Sequence, residues 1–267
     1  MGIRFSVLAS GSTGNATIIQ SKDVTLMIDA GLSGRKLDQL LKEREVRGDS
    51  IHGILVTHEH ADHVKGLGIF ARKHGLKIYA NARTWQAMDK HVGQIEEDQR
   101  EIIETGAELT FGELKVQSYP VSHDAAEPIG FCFREGDRKL SVATDLGYVS
   151  PKVRDMISDS DVLVLESNHD VDMLRIGRYP WNIKRRILGD EGHLSNEAAG
   201  EALCTLLADH TRRVYLAHLS QDHNLMDLAK MTVNNLCKER GFHLENRRVT
   251  LMDTYYDRPT LWDSLDH

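Results

Sequence analysis

The chain has 267 residues, with 33 lysines and arginines against 40 aspartates and glutamates, a net charge of −7 with histidines neutral. That length can bury a substantial core without staples, and the acidic balance excludes a globally basic nucleic-acid coat while leaving room for a local basic face. Cys132, Cys204 and Cys237 are odd in number and far apart, no run approaches ~18 apolar residues, and no secretory signal pattern opens the chain, so the expectation is a cytoplasmic protein with no disulfide framework and no membrane span.

Residues 3–9 read as a strand, followed by the loop Ser10-Gly11-Ser12-Thr13-Gly14-Asn15 and strands over 17–19 and 24–28. The loop is either a hairpin turn or a surface whose amides and hydroxyls face a phosphate or a metal site, with Ser12 and Asn15 as candidate substrate contacts. It is not a Walker loop, because it lacks the Gly-Lys-Ser/Thr ending. A helix over 33–44 is capped by Ser33 and carries Leu37, Leu40 and Leu41 on one face. A strand over 51–57 follows, then a helix over 64–74, a strand over 77–80 and a helix over 82–92. Short strands are expected over 101–104, 108–111, 114–119, 129–135 and 138–143, with a tight hairpin at Gly136-Asp137. Ser150 and Pro151 open a helix over 151–157. A buried strand over 161–166 precedes a polar, basic stretch, 170–192, to which the pattern assigns no element. A helix over 196–209, a strand over 213–217, a helix over 225–240 and a strand over 248–252 complete the chain. No repeat, low-complexity segment or linker is visible. This order predicts an α/β fold, an αββα sandwich of two mixed sheets with helices outside, in one domain spanning 1–267.

The densest chemistry is Thr57-His58-Glu59-His60-Ala61-Asp62-His63, three histidines and two carboxylates at the end of the apolar run Ile54-Leu55-Val56. Imidazole with carboxylate is the usual donor set for borderline metals. Residues two apart in extended chain share a face, so His58 and His60 can reach one ion. Asp62 and His63, just past the turn, can reach a second, and paired ions ~3.5–4 Å apart suit phosphate-ester hydrolysis. Further ligands are sought at other strand ends, where His123, Asp145 and His218 stand. Asp145 has two oxygens with which to bridge two ions. Asp29, ending its own strand, reads as an acceptor for a ligand histidine N–H. His169 also follows an apolar strand, and the sequence leaves a structural and a cleft-facing role equally open.

The motif His58-x-His60-x-Asp62-His63, with Asp29 before a glycine and then His123, Asp145 and His218 in order, resembles the signature of the metallo-β-lactamase superfamily over nearly the whole chain. His60 stands where diiron oxygen reductases of that superfamily carry glutamate, which argues against redox chemistry. Asp145 stands where the best-known lactamases carry cysteine, which argues against β-lactam hydrolysis. Ala9 to Asn15, Gly192-His193-Leu194-Ser195-Asn196 and Ala217 to Asn224 are similar to the YycJ (WalJ/VicX) branch of 5′-to-3′ DNA exonucleases, and Gly192 to Ser195 also resembles a stretch of RNase Z with an auxiliary catalytic histidine. The resemblance implies two divalent ions, one on His58, His60 and His123, the other on Asp62, His63 and His218, with Asp145 between them and Asp62 and His193 as catalytic residues.

The implied reaction is in-line attack on phosphorus by a metal-bridging hydroxide, available because coordination lowers the pKa of water to about 7. His193 would stabilise charge or protonate the leaving oxygen. These ligands suit zinc, manganese and iron alike. The phosphate-holding surface is expected in 175–186, where Arg175, Arg178, Lys184, Arg185 and Arg186 interleave with Tyr179 and Trp181 and no carboxylate intervenes. Cations for phosphates and aromatics for unstacked bases is the makeup of a single-strand groove. Of that run, Arg178, Trp181, Lys184, Arg185 and Arg186 are the candidate substrate contacts, and DNA is the expected partner. Alternatives are an RNA nuclease, a small-molecule phosphodiesterase or thioester hydrolase, and a non-enzymatic regulatory protein.

Overall fold

The computed structural model describes residues 2–266. The first half runs β1 (Arg4–Ala9), β2 (Ala16–Ser21), β3 (Val24–Ile28), α1 (Gly34–Glu43), β4 (Gly53–Leu55), α2 (Ala61–Val64), α3 (Leu67–His74), β5 (Ile78–Ala80), α4 (Ala82–Val92) and β6 (Arg100–Ile102). The second runs β7 (Glu108–Phe111), β8 (Leu114–Pro120), β9 (Ile129–Glu135), β10 (Arg138–Ala143), α5 (Pro151–Ile157), β11 (Val162–Glu166), α6 (Val171–Ile176), α7 (Trp181–Ile187), α8 (Asn196–Leu206), β12 (Arg213–Ala217), α9 (Met226–Glu239), β13 (Thr250–Met252) and β14 (Asp263–Ser264).

The strands form two seven-stranded sheets, ordered β14-β1-β2-β3-β4-β5-β6 and β13-β12-β11-β10-β9-β8-β7. In the first, pairing is antiparallel from β14 to β3 and parallel from β3 to β6. In the second, it is antiparallel from β7 to β10 and parallel from β10 to β13. The two sheets therefore repeat one pattern that the sequence does not display. Pairing changes sense at β3 and β10, and Asp29 and Asp145 lie just beyond the ends of those strands. Both hold a left-handed backbone with φ 57, a conformation that costs a non-glycine residue about 1–3 kcal/mol and persists where the surroundings impose it. Crevices at the carboxyl ends of strands, where a sheet changes direction, are where α/β folds bind ligands.

Apolar strands buried on both faces explain the layering. Phe5, Ile19, Leu26 and Leu55 of the first sheet meet Val116, Phe131, Phe133 and Val142 of the second in the central core. On the outer face of the first sheet, Leu37, Leu40 and Leu41 of α1, Phe70 of α3 and Met88 of α4 join Ile18 and Ile54. On the outer face of the second, Val153, Leu203 and Val233 from α5, α8 and α9 join Leu163, Leu165 and Leu216. Each fully buried side chain of this kind contributes roughly 1.5–3 kcal/mol. This is the expected αββα sandwich. Among the described residues no helix is long and apolar enough to cross a membrane, and Cys132, Cys204 and Cys237 are free thiols.

Several local expectations need correction. The strand expected over 51–57 pairs only over Gly53–Leu55, so 56–60 is free to turn into the crevice. The helix expected over 64–74 is broken at Lys65 and Gly66. Gly66 N donates to Ala30 O at 2.8 Å, and a side chain there would meet Leu32 O at 1.9 Å; the break docks α2 against the 30–32 loop. The stretch 170–192 contains two short helices, α6 and α7, of which α6 is capped by Asp170 through Met173 N at 2.8 Å.

Gly31 sits directly under the metal-type cluster, where an added Cβ would lie 1.6 Å from Asp62 O and 2.8 Å from Asn15 N. Gly31→Ala is expected to destabilise the fold by about 3 kcal/mol or more, beyond the usual overpacking range, seen as a fall in the denaturant midpoint; a midpoint within error of wild type would show that the loop relaxes freely.

Candidate metal centre

The site is built from strand ends. The turn after β4 carries His58, His60, Asp62 and His63; the end of β8 leads to His123; β10 leads to Asp145; β11 ends in Glu166; β12 leads to His218. Backbone hydrogen bonds tie these ends together: Ile129 N to Thr57 O at 3.1 Å, Asn15 N to Asp62 O at 2.8 Å and Ala30 N to His63 O at 2.8 Å. Ser10 Oγ accepts from His218 N at 2.8 Å, fixing His218 at φ 56.

Among the described residues four groups of ligand-type atoms emerge, each with its members within 4.8 Å of one another: His58, His60 and His123; His58, His63 and Asp145; Asp62, His63 and His218; and Asp145, Glu166, His193 and His218. His60 Nδ1 and His123 Nε2 are 3.3 Å apart. Asp62 Oδ2 lies 3.5 Å from His63 Nε2 and 3.4 Å from His218 Nε2. Asp145 lies between the groups, 3.3 Å from His63 Nε2, 3.8 Å from His123 Nε2 and 3.4 Å from His218 Nδ1.

The nitrogens not facing this space are held from behind. Asp29 accepts from Thr57 N at 2.8 Å and Thr57 Oγ1 at 2.9 Å, and lies 2.7 Å from His63 Nδ1. His123 Nδ1 is 3.0 Å from Gly192 O. Glu166, wholly buried, is the residue that the sequence reading missed. Its Oε1 lies 2.8 Å from His193 Nδ1 and 2.9 Å from His218 Nδ1, and its Oε2 accepts from Leu146 N and Leu194 N. The signal was present: a carboxylate ending an otherwise apolar, fully buried strand, Val162 to Glu166, which cannot stay ionised there without partners.

Electrostatics follow from this crowding. Burial, reinforced by His63, holds His58 well below the usual imidazole range. Burial opposes protonation of His218, yet Asp145, Asp62 and Glu166 overcome it and push it up to about 10. Burial would raise Glu166, but His193 and His218 bring it down to about 2, so it stays a carboxylate at neutral pH. His58 Nε2 and Asp145 Oδ2 are buried with no hydrogen-bond partner, a cost of about 1–3 kcal/mol each that a cation would remove. Imidazoles and carboxylates converging on orphaned lone pairs fit a divalent metal.

Residues 25–219 match the family model described as Beta-lactamase superfamily domain. The chain belongs to the metallo-β-lactamase superfamily. It is 51% identical over 242 residues to Exodeoxyribonuclease YycJ of Bacillus anthracis, covering 91% of this chain and 92% of that one. To Exodeoxyribonuclease WalJ of Streptococcus pneumoniae it is 44% identical over 237 residues, covering 88% of each. The solved structure of the metallo-β-lactamase fold protein YhfI from Bacillus subtilis shares the fold, with TM-score 0.72, 15% identity and coverage of 97% and 99%. Divalent metal binding is a property of this superfamily, and the histidine and aspartate groups above are where this member offers it.

The expected substrate contacts fare unevenly. Asn15 is buried and spent on structure: its Oδ1 accepts from Gly11 N at 2.9 Å, and its Nδ2 lies 3.3 Å from Asp62 Oδ2 and 3.1 Å from His63 Nε2. Lys184 is buried in α7, and its Nζ donates to Arg175 O at 2.6 Å and Gly177 O at 2.7 Å. It closes the end of α6, with its ammonium engaged by two backbone carbonyls. Arg186 Nε pairs with Asp124, next to His123, which brings one cation to the rim of the centre. Ser12, Arg178, Trp181 and Arg185 are exposed. His193 approaches the cluster, its ring 4.9 Å from His123 and 5.2 Å from His218. His169 is buried behind Ser195 with Nδ1 3.3 Å from Asn168 Oδ1, a structural placement.

Glu166→Gln removes the charge that orients two imidazoles, and metal affinity is expected to fall about 10–100-fold with the circular dichroism spectrum retained; unchanged affinity in a metal titration would exclude that role. Burial pushes His169 down to about 4 against the opposing charge of Glu166, whereas the unfolded imidazole sits near about 6.5. As pH falls through that window the unfolded chain gains a proton that the folded chain refuses, so stability falls by up to about 3 kcal/mol. Denaturant midpoints from pH 7 to 4 should decline less steeply in His169→Gln.

Proposed function

We propose that the chain, as one metallo-β-lactamase-like domain in the cytoplasm, is a dinuclear metal-dependent phosphodiesterase that degrades DNA from the 5′ end towards the 3′ end. The observation that carries the dinuclear reading is Asp145, one buried carboxylate within ion-pair distance of histidines from both ligand groups. DNA as substrate draws on the likeness to the two exodeoxyribonucleases. The polarity draws on the motifs of their branch.

In this reading His58, His60 and His123 would hold one ion and Asp62, His63 and His218 the other, with Asp145 between the two groups. Zinc, manganese or iron, when bound there, would supply an activated water and offset phosphate charge. The chain's own residues do the rest. Asp29 accepts a hydrogen bond from Nδ1–H of His63, and Glu166 from Nδ1–H of His218, so each imidazole turns its Nε2 towards the metal space. Asp62 orients the attacking water. Glu166 also holds His193 through Nδ1, leaving Nε2 to donate a proton to the departing 3′ oxygen while the carboxylate stabilises the imidazolium. Arg186 at the rim, with Arg178, Arg185 and the loop hydroxyl of Ser12, contacts phosphates, and exposed Trp181 stacks an unpaired base.

End-labelled duplex DNA with Mn²⁺ should be degraded progressively, and Asp62→Ala with His63→Ala or chelation should abolish this; turnover of bis-nitrophenyl phosphate with intact DNA would overturn the choice of substrate. Removing a phosphate-contacting cation lowers the salt slope of DNA binding by about 1. Arg186→Ala should show that change, whereas Lys184→Ala should lower the melting temperature and leave the slope unchanged; the reverse pattern would restore Lys184 to the groove.

A further inference from the structure

At the end of the second sheet away from the metal centre, a cavity of about 520 Å³ is lined by the first residues of its parallel strands. Arg138 opens β10, Arg213 opens β12, and Asp161 immediately precedes β11. His210, Arg212 and Arg248 come from the loops that enter β12 and β13. His218 stands five residues beyond Arg213, so at ~3.3 Å per residue the cavity lies roughly 17 Å from the centre.

We propose that this cavity is a binding site for a phosphate-bearing ligand of mononucleotide size. Four guanidinium groups line it in a protein of net charge −7. The acids nearby are Asp161 in the lining, Asp263 paired with Arg213, and Asp159, 3.4 Å from His210. Three of the four cations are also held in place before any ligand arrives. Arg138 Nη1 donates to Asp161 Oδ1 at 2.7 Å. Arg213 Nε donates to Asp263 Oδ2 at 2.7 Å, and its Nη2 to Ser264 O at 2.8 Å. Arg212 Nη1 donates to Asp209 O at 2.7 Å and Thr211 O at 3.0 Å. A guanidinium has five donors in a rigid fork, so Arg138 and Arg212 keep most of theirs for an oxyanion. Preorganised cations lose little entropy on binding.

Arg248 adds a second kind of observation. It holds a left-handed backbone at φ 57, unusual for a long side chain, and among the described residues its guanidinium has no protein partner. Solvated surface arginines need neither a shared cavity nor a strained backbone. The apolar lining from Met252 and Leu265 gives a base or sugar something to cover, and the volume is in the range of small-ligand pockets. That combination favours a nucleotide over bare phosphate.

The site is independent of the metal centre, and its test is a binding measurement. Wild type, Arg248→Glu and Arg212→Ala are titrated calorimetrically with adenosine monophosphate, with pyrophosphate and with a nuclease-resistant single-stranded oligonucleotide, and their melting temperatures and DNA hydrolysis are read alongside. Saturable binding of the monophosphate, weakened about tenfold or more by each substitution, is expected, with hydrolysis and melting temperature unchanged. Weakening confined to pyrophosphate overturns the nucleotide and leaves an oxyanion site. Weakening confined to the oligonucleotide overturns the small ligand in favour of a nucleic-acid backbone. No binding of any probe at about 10 mM, or affinities that neither substitution changes, overturns the site altogether.

Discussion

Glu166 has no exposed surface and ends a strand whose other residues are apolar and buried. An ionised carboxylate in such a place is tolerated only when it is fully hydrogen-bonded and paired. Four donors meet that need: two imidazoles and the amides of Leu146 and Leu194. The same bonds fix His193 and His218, so the constraint that keeps the carboxylate buried also orients both imidazoles. Asp29 repeats the device for His63 with Thr57 as its second partner. The metal centre is thus a ring of imidazoles held from outside by buried carboxylates.

The frame that makes this possible is the switch from antiparallel to parallel pairing in each sheet. At β3 and β10 the chain leaves the sheet edge through a left-handed aspartate, and β12 leaves through a left-handed histidine. Those three residues carry strain that nearby contacts must offset; His218 N donates to the Ser10 hydroxyl oxygen, Asp29 N to Leu55 O, and the bonds from Asn15 N to Asp62 O and Ala30 N to His63 O tie the adjoining loops together. Glycines complete the fit, because at Gly31 and Gly66 even one added carbon would overlap the backbone of the neighbouring loop. The ligand edge therefore rests on rigid strands and close backbone contacts, the arrangement that holds a site to the tolerance that catalysis demands.

The basic stretch 175–186 behaves differently, because long cations answer to whatever carboxylates and carbonyls the fold brings near. In sequence it lacks an acid. In space Asp124 and Asp222 reach it from other loops, the first pairing with Arg186 and the second accepting from the Tyr179 hydroxyl at 2.8 Å. Lys184 turns inward to two carbonyls. Half-buried lysines often bury their stems and save a polar partner for the tip, so a run of like charges overstates the number of free cations. At the other end of the sheet the opposite happens: Arg138, Arg212, Arg213 and Arg248, up to 110 positions apart in sequence, share one cavity.

The layered α/β architecture is legible in the chain alone, because strand-length apolar runs alternating with capped amphipathic segments leave few other ways to bury both faces. So are the metal-type residues at His58 to His63, His123, Asp145 and His218, since each follows a strand whose end is legible locally. Long-range folding places Glu166 behind two of the imidazoles, engages Asn15 and Lys184 internally, forms α6 and α7 in a stretch with weak periodicity, and brings four arginines together. Those outcomes depend on contacts between residues tens to hundreds of positions apart. Hydrogen-bond satisfaction in a buried space is settled by whichever partners the fold delivers, and local pattern carries no record of them.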